Sequence, residues 1–133
     1  MVVLAAVSDA KTDAQIVAEA DALAQTFGIE LHVVHVRSYD SLSDAEADRT
    51  DNTIKQRAKK TAANAADSAA STVVSVGRIG QPAAEILAYA DTVDARYIVI
   101  GGQKRSPVGK ALFGSTTQQV LLGADRPVLT VMD

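Results

Sequence analysis

Short, wholly apolar runs alternate along this chain with segments whose apolar residues recur at helical spacing. The first run, VVLAAV at residues 2–7, has no polar position, which is typical of a strand buried on both faces of a sheet. Such strands need helices on each side, and alternation at this spacing predicts right-handed βαβ connections. We therefore expect a single α/β domain over residues 1–133, with an open parallel sheet and helices on both faces.

Five strands and four helices account for the whole length. We predict strands at residues 2–7, 29–36, 71–76, 97–100 and 128–131, and helices over 12–27, 50–70 and 115–122 and from Pro82. Thr12 to Gln15 and Ser115 to Gln118 have the pattern of a capping box, in which a hydroxyl and a glutamine side chain satisfy free amides at a helix start. Gly28 supplies a left-handed helix stop, and Pro82 stands where its missing amide hydrogen costs nothing.

Charge is unevenly distributed along the 133 residues. No Asp or Glu lies between residues 98 and 124, where Lys104, Arg105 and Lys110 give +3, so the rest of the chain carries −6 against a total of −3. An acidic body disfavours nucleic acid and anionic membranes as partners. The basic segment suits a small anion, although ordinary surface variation would also produce it.

Composition excludes several classes of protein. No cysteine is present, so disulfides, thiolate metal sites and cysteine nucleophiles are ruled out. The start MVVLAAVSDA has no basic region, and no stretch approaches the ~20 apolar residues of a membrane span. We expect a soluble, cytoplasmic domain.

The segment after the fourth strand, GGQKRSPVGKALFGS at residues 101–115, contains four glycines and ends at a predicted helix. Glycines let backbone approach phosphate, and a helix start offers free amides and the positive end of the dipole. The segment is not a Walker A loop, because Lys110 is followed by Ala111 rather than Ser or Thr. From these residues alone, a phosphate site and a flexible turn are both open.

Several motifs together resemble the universal stress proteins. Nucleotide-binding members carry G-x2-G-x9-G-[S/T] after strand four, and Gly101 and Gly114-Ser115 have that separation. GQPAAEILAYA at residues 80–90, LHVVHV at 31–36 and PVLTV at 127–131 also fit the family pattern. The resemblance covers essentially the whole chain. It implies an adenine nucleotide alpha hydrolase-like fold with strand order 3-2-1-4-5.

The resemblance also implies a homodimer joined through the last strand, Val128–Val131. An apolar edge strand has unpaired backbone groups that a twofold partner satisfies. Alternatively, Pro127 and Asp133 merely protect this edge.

Two positions depart from the family pattern. Lys104 replaces the second motif glycine, and Ser8 followed by Asp9 stands where ATP-binding members usually have Asp at the end of strand one. Lys104 and Arg105 can reach phosphates as charged donors or remain solvated.

The expected ligand is ATP or another adenine nucleotide, with or without Mg²⁺. By position, Val36 and Ile100 would pack against the base, although core packing at a strand end explains Val36 equally well. The predicted site surrounds the nucleoside with Ser8, Asp9, Val36 and Ile100, and the phosphates with Gly101, Gly102, Lys104, Arg105, Gly114, Ser115 and Thr116.

The sequence contains little that indicates catalysis. His32 and His35 are three apart on a strand, so they point to opposite faces, and we interpret both as buried structural residues. No Ser–His–Asp pattern, paired catalytic carboxylates or metal-ligand spacing is recognised. The leading hypothesis is a dimeric, nucleotide-binding stress-response sensor or regulator whose polar loop at 38–50 closes over the ligand. A nucleotide-free interaction module is the alternative, and slow ATP hydrolysis a third, with no residue assigned to water or Mg²⁺.

Overall fold

The computed structural model describes residues 1–42, 50–102 and 113–132, and strands and helices alternate through them. The strands are β1 (Val2–Val7), β2 (Glu30–Arg37), β3 (Val73–Ile79), β4 (Ala95–Gly101) and β5 (Val128–Val131). The helices are α1 (Asp13–Phe27), α2 (Asp51–Ala65), α3 (Pro82–Thr92) and α4 (Ser115–Gly123), and a short 3-10 turn at Tyr39–Ser41 follows β2.

The sheet is parallel, with the order β3-β2-β1-β4-β5. This confirms the fold class and strand order expected from the sequence. From β1 the chain adds β2 and β3 on one side of the sheet, and it then crosses to the other side of β1 to add β4 and β5. The loops after β1 and β4 therefore leave the sheet in opposite directions from neighbouring strands. Ligands of open α/β sheets bind at such a point.

Both faces of the sheet are covered, as the continuous apolar run of β1 requires. Every residue of β1 is buried, with alternate side chains on opposite faces. One face packs against α1 and α2 through residues such as Leu31, Val33 and Val99. The other packs against α3 and α4 through Val34 and Ile98, among others.

Helix α2 lies very close to β3, as its alanine-rich inner face predicts. A Cβ on Gly77 would overlap the backbone of Lys55 and Lys59, so β3 has no room for a side chain at that position. Gly28 ends α1 in the left-handed conformation with φ of 65°, and Pro82 is the first residue of α3, both as predicted.

Helix α2 and strand β3 have different bounds from the prediction. The helix stops at Ala65 instead of residue 70, and β3 begins at Val73 instead of residue 71. The carboxylate of Asp21 on α1 accepts hydrogen bonds from the Ala70 and Ser71 amides, at 3.0 and 2.9 Å, and holds this connection out of both elements. None of the helices in the described ranges is long and apolar enough to cross a membrane.

Candidate functional site

A cleft of about 820 Å³ opens beside the carboxyl ends of β1, β2 and β4, within the volume range of small-molecule sites. The described residues of the predicted site all line it: Ser8, Asp9, Val36, Ile100, Gly101, Gly102, Gly114, Ser115 and Thr116. Lys104 and Arg105 lie outside the described residues. The structure therefore brings together nine positions that come from four separate stretches of the chain.

The β1–α1 loop is held by a carboxylate of the protein itself. Asp13 accepts hydrogen bonds from the Ser8 amide at 3.0 Å and the Ala10 amide at 3.1 Å. Asp9 between them has a positive φ of 63°, which an aspartate tolerates better than most residues. The predicted capping box is wrong here, because Thr12 adopts helical angles and its hydroxyl caps no amide. Asp13 thus engages two loop amides that would otherwise be available to a bound anion.

The floor of the cleft is apolar. Ile100 is buried and Val36 half-buried, and both belong to the core packed under α3 and α4. They lie on the same face of neighbouring parts of the sheet, with Ala6 of β1 paired to Ile100. Pro82 and Ile86 from α3 line the same cleft. This surface can accept a flat, weakly polar group such as a nucleobase.

The β4–α4 junction differs from the β1–α1 junction. Helix α4 begins at Ser115 with Gly114 as its N-cap, and no side-chain oxygen within the described ranges caps its first amides. The predicted capping box is therefore wrong here as well, since Ser115 lies inside the helix. The first hydrogen bond of the helix runs from the Gln118 amide to the Gly114 carbonyl at 2.9 Å. The amides of residues 115–117 therefore have no acceptor within the helix, and the helix dipole favours an anion beside them.

Thr117 braces this junction. Its hydroxyl donates to the Gly101 carbonyl at 2.6 Å, and its side chain is buried. The Gly102 amide donates to the Val131 carbonyl at 2.9 Å, which extends the β4–β5 ladder by one bond. The start of α4 is thereby fixed relative to the end of β4.

Gly101 and Gly102 are closely approached by neighbouring side chains, and Gly101 is also the first glycine of the motif. A Cβ on Gly101 would lie 3.0 Å from Ile16 Cδ1, and one on Gly102 would overlap Met132 Sδ. Gly114 is different, because its φ of −66° and ψ of 161° are accessible to any residue. A residue with a side chain can therefore replace Gly114 without a backbone cost.

The polar turn after β2 borders the cleft. Arg37 and Ser38 line it, and the next residue, Tyr39, donates a hydrogen bond to Asp51 at 3.2 Å. The charge of Asp51 and this hydrogen bond raise the pKa of Tyr39. The contact joins the two ends of the loop proposed to close over the ligand, whose residues 43–49 lie outside the described ranges.

Sequence reasoning did not assign Asp13, Thr117 or Pro82 to this region, and it treated His35 as structural. His32 and His35 are both buried and lie on opposite faces of β2, as predicted. Only His35 lines the cleft. The sequence could have indicated this, because His35 directly precedes Val36 near the end of the same strand. Among the described residues, no group of three or more acidic or histidine side chains is arranged to hold a metal ion.

Comparison with known proteins adds independent information. The universal stress protein family model matches residues 1–132. A universal stress protein of Mycolicibacterium smegmatis is 49% identical over 47 residues, a stretch that spans 35% of this chain and only 36% of that relative.

Solved structures match over almost the full length. A universal stress protein from Archaeoglobus fulgidus is 27% identical, with 98% of this chain and 97% of that chain covered and a TM-score of 0.75. A structure of the universal stress protein from Archaeoglobus fulgidus in complex with dAMP is 23% identical, covering 98% and 96%, with a TM-score of 0.67. A universal stress protein in complex with cAMP is 20% identical, covering 99% and 96%, with a TM-score of 0.62.

These matches identify both the fold and the protein family. The strand order β3-β2-β1-β4-β5 and the near-complete coverage of the solved chains correspond to the adenine nucleotide alpha hydrolase-like fold. Since the family model spans residues 1–132, this chain belongs to the universal stress protein family.

Proposed function

We propose that this protein binds an adenine nucleotide in the cleft and acts as a stress-response sensor or regulator. The observation that carries the proposal is the start of α4, where amides without a side-chain cap face a cleft with an apolar floor. One half of such a site suits phosphate and the other half suits a base. The relatives in complex with dAMP and cAMP support this ligand class.

The proposed pose follows the two halves of the cleft. The base packs on Val36 and Ile100, and the phosphates meet the amides of residues 115–117 beside Gly101 and Gly102. Ser8 and Asp9 border the sugar between them. Lys104 and Arg105 are proposed as further phosphate contacts, and Mg²⁺ as an optional companion of a triphosphate.

The first test is to purify the protein without added ligand, denature it, and chromatograph the supernatant for nucleotides. Titration calorimetry with ATP, ADP and AMP, each with and without Mg²⁺, follows. We expect retained or saturable adenine nucleotide. Absence of both would contradict the proposal.

Gly114→Val provides a matched variant for the titration. Its extended backbone accepts valine, whereas the added side chain occupies the approach to the first amides of α4. We expect nucleotide binding to be abolished with little change in the thermal midpoint. Gln118→Val, which places the same side chain at an exposed position one turn further along α4 and away from the cleft, should bind like the parent protein.

A nucleotide-free interaction module is the second candidate, favoured by two substitutions. Lys104 stands in place of a motif glycine, and Ser8 stands where related ATP-binding chains usually have Asp. The amide of Ser8 is already paired with Asp13, which leaves its hydroxyl as the polar group it can offer. A protein that neither retains nor binds nucleotide, yet is fully folded, would favour this candidate.

We also propose that β5 joins two copies of the chain. Among the described strands, β5 pairs with β4 alone, so its other edge has unpaired backbone groups. Leu129 on this strand is 39% exposed. Leu129→Lys should convert a dimer to a monomer in sedimentation velocity, whereas Val74→Lys on the opposite edge strand should not. Equal masses for parent and Leu129→Lys would contradict this interface.

A further inference from the structure

His35 is a buried side chain that reaches the cleft. It is 7% exposed, and it is among the residues that line the cleft. Its Nδ1 lies 2.9 Å from the carbonyl oxygen of Val7, at the end of β1. A carbonyl only accepts hydrogen bonds, so Nδ1 must carry the proton in this contact. The bond fixes both the tautomer of the neutral ring and its orientation.

In that tautomer Nε2 has a free lone pair. No hydrogen bond to Nε2 is found among the described residues, although Nδ1 is paired. Within the same ranges no fully buried side-chain nitrogen or oxygen lacks a partner, so Nε2 is not sealed in the core. The accessible space next to His35 is the cleft. The ring therefore presents an unpaired acceptor from an otherwise buried position.

His32, on the same strand, differs from His35 because both of its ring nitrogens have hydrogen-bond partners within the protein. Its Nδ1 lies 2.6 Å from the Tyr89 hydroxyl, and its Nε2 lies 3.2 Å from Glu30 Oε1. Burial raises the pKa of Tyr89, which keeps this hydroxyl protonated in the contact. Both nitrogens of His32 are thus engaged by the protein, whereas one nitrogen of His35 is not.

We propose that His35 Nε2 accepts a hydrogen bond from a ribose hydroxyl of the bound nucleotide and thereby selects ribonucleotides over deoxy analogues. This inference rests on the proposed nucleotide-binding function. Phosphate oxygens and the ring nitrogens of adenine are acceptors and do not pair with a lone pair. The donors that an adenine nucleotide offers are its sugar hydroxyls and its 6-amino group.

The position of His35 favours the sugar. Val36 and Ile100 project to the α3–α4 face of the sheet, whereas His35 projects to the opposite face, towards α1. The hydrogen bond to the Val7 carbonyl holds the ring at the end of β1, next to Ser8, which the proposed pose places at the sugar. The sugar hydroxyls are therefore the donors of the ligand nearest to His35, whereas the 6-amino group lies with the base on the α3–α4 face.

Two substitutions separate the roles of the two nitrogens. Asparagine at position 35 places its amide nitrogen near the position of Nδ1, so His35→Asn keeps the donor to Val7 and removes the cleft acceptor. His35→Gln extends a polar group to the Nε2 position and offers an acceptor there. His32→Asn is the control on the strand's other face.

Affinities for AMP, 2′-deoxy-AMP and 3′-deoxy-AMP are measured by calorimetry at pH 8 for the parent and the three variants. We expect the parent to prefer AMP over at least one deoxy analogue by about 3- to 10-fold, the range of one neutral hydrogen bond. His35→Asn should reduce that preference to less than about 2-fold, while His35→Gln and His32→Asn retain it.

Two results would overturn the inference, and they differ from each other. If the parent binds AMP but discriminates equally before and after His35→Asn, His35 does not contact the sugar and the nucleotide-binding function stands. If the parent binds none of the three nucleotides, the proposed function fails and the inference fails with it. Histidine ¹⁵N spectra give a further readout: the free protein should show the Nδ1–H tautomer, and AMP should shift Nε2 of His35 but not of His32.

Discussion

Two strand–helix junctions flank the cleft, and they differ in whether a side chain of the protein accepts hydrogen bonds from their free backbone amides. At the β1–α1 junction the Asp13 carboxylate accepts from the Ser8 and Ala10 amides, so the protein supplies its own anion. At the β4–α4 junction no described side chain caps the first amides of the helix. The chain thus supplies an acceptor for the loop amides of the first junction, while the first amides of α4 have no side-chain acceptor among the described residues.

The comparison shows why a helix start at the right edge of a sheet does not by itself identify a phosphate site. Both α1 and α4 begin at the carboxyl edge, and both carry the positive end of a helix dipole. Neither helix has a side-chain cap on its own first amides, and they differ in that the first turn of α1 contains Asp13 whereas the first turn of α4 contains no acidic residue. The remaining described helices have side-chain caps, α2 from the Thr50 hydroxyl and α3 from the Gln81 side chain.

Ser115→Asp would make the second junction resemble the first, and it has the largest expected effect. The new carboxylate would occupy the donors at the start of α4 and repel phosphate, so AMP and ATP affinity should fall by about 100-fold or more. Folding stability should be unchanged or slightly higher, because an acidic side chain is favourable in a first helical turn. Calorimetry and thermal denaturation measure the two effects. Unchanged affinity would show that phosphate does not bind at α4.

Asp13→Asn would weaken the first junction. Asparagine keeps one neutral acceptor oxygen, so one of the Ser8 and Ala10 amides loses its acceptor and the other loses a charged one, and the free energy of unfolding should fall by about 1–3 kcal/mol. Asp13 does not line the cleft, so nucleotide affinity should change by less than about 3-fold. Urea denaturation and calorimetry provide the measurements. A loss of binding as large as that of Ser115→Asp would contradict the distinction between the junctions.

Like Asp13, Asp21 accepts hydrogen bonds from two backbone amides of a connecting segment, here the one between α2 and β3. Burial alone would raise its pKa, but hydrogen bonds from Ala70, Ser71 and Gln25 outweigh burial and lower the pKa below its ordinary value of 3.8. Its stabilisation is therefore complete above the unfolded-state pKa and is lost as the pH falls below 3.8 through the folded-state pKa.

The matching variant is Asp21→Asn. At pH 7 it should lower the free energy of unfolding by about 1–2 kcal/mol, since the amides of Ala70 and Ser71 lose a charged acceptor. The difference between parent and variant should shrink when denaturation is repeated at pH 3. A difference that stays constant between pH 7 and pH 3 would show that the carboxylate charge is not what holds this connection.

Thr117→Val tests the brace of the second junction and has the smallest expected effect. Valine preserves the shape of the side chain but removes the hydrogen bond to the Gly101 carbonyl, which should cost about 1 kcal/mol of stability. Thr117→Ser retains the hydroxyl and should behave closer to the parent in urea denaturation. If Val and Ser variants lose equal stability, packing rather than the hydrogen bond fixes this junction.

Strand positions were predictable from the sequence because burial on two faces leaves a clear signal. The runs at Val2–Val7 and Val128–Val131 match the structure residue for residue, and Gly28 and Pro82 mark helix ends as expected. The capping boxes failed, because the pattern of Ser or Thr followed by Gln does not reveal whether the hydroxyl lies at the cap or within the helix. At α1, Thr12 stands at the N-cap position but has helical backbone angles and caps no amide, and at α4 the helix begins at Ser115 itself.

The contacts that tie distant segments together were not predictable. Asp21 accepts backbone hydrogen bonds from residues 49 and 50 positions further along the chain, and nothing in the local sequence distinguishes it from an exposed aspartate. The proposed role of His35 depends on a carbonyl 28 residues away. Such contacts are set by strand register and helix placement, which emerge only when the sheet is assembled.

An NMR titration with AMP tests the central claim most directly, because each backbone amide reports separately on hydrogen bonding. The amides of Ser115, Thr116 and Thr117 should shift strongly and saturably, while those of Ser8 and Ala10, already paired with Asp13, should move little. Strong shifts at Ser8 and Ala10 with none at the start of α4, or no saturable shift at either junction, would contradict the account.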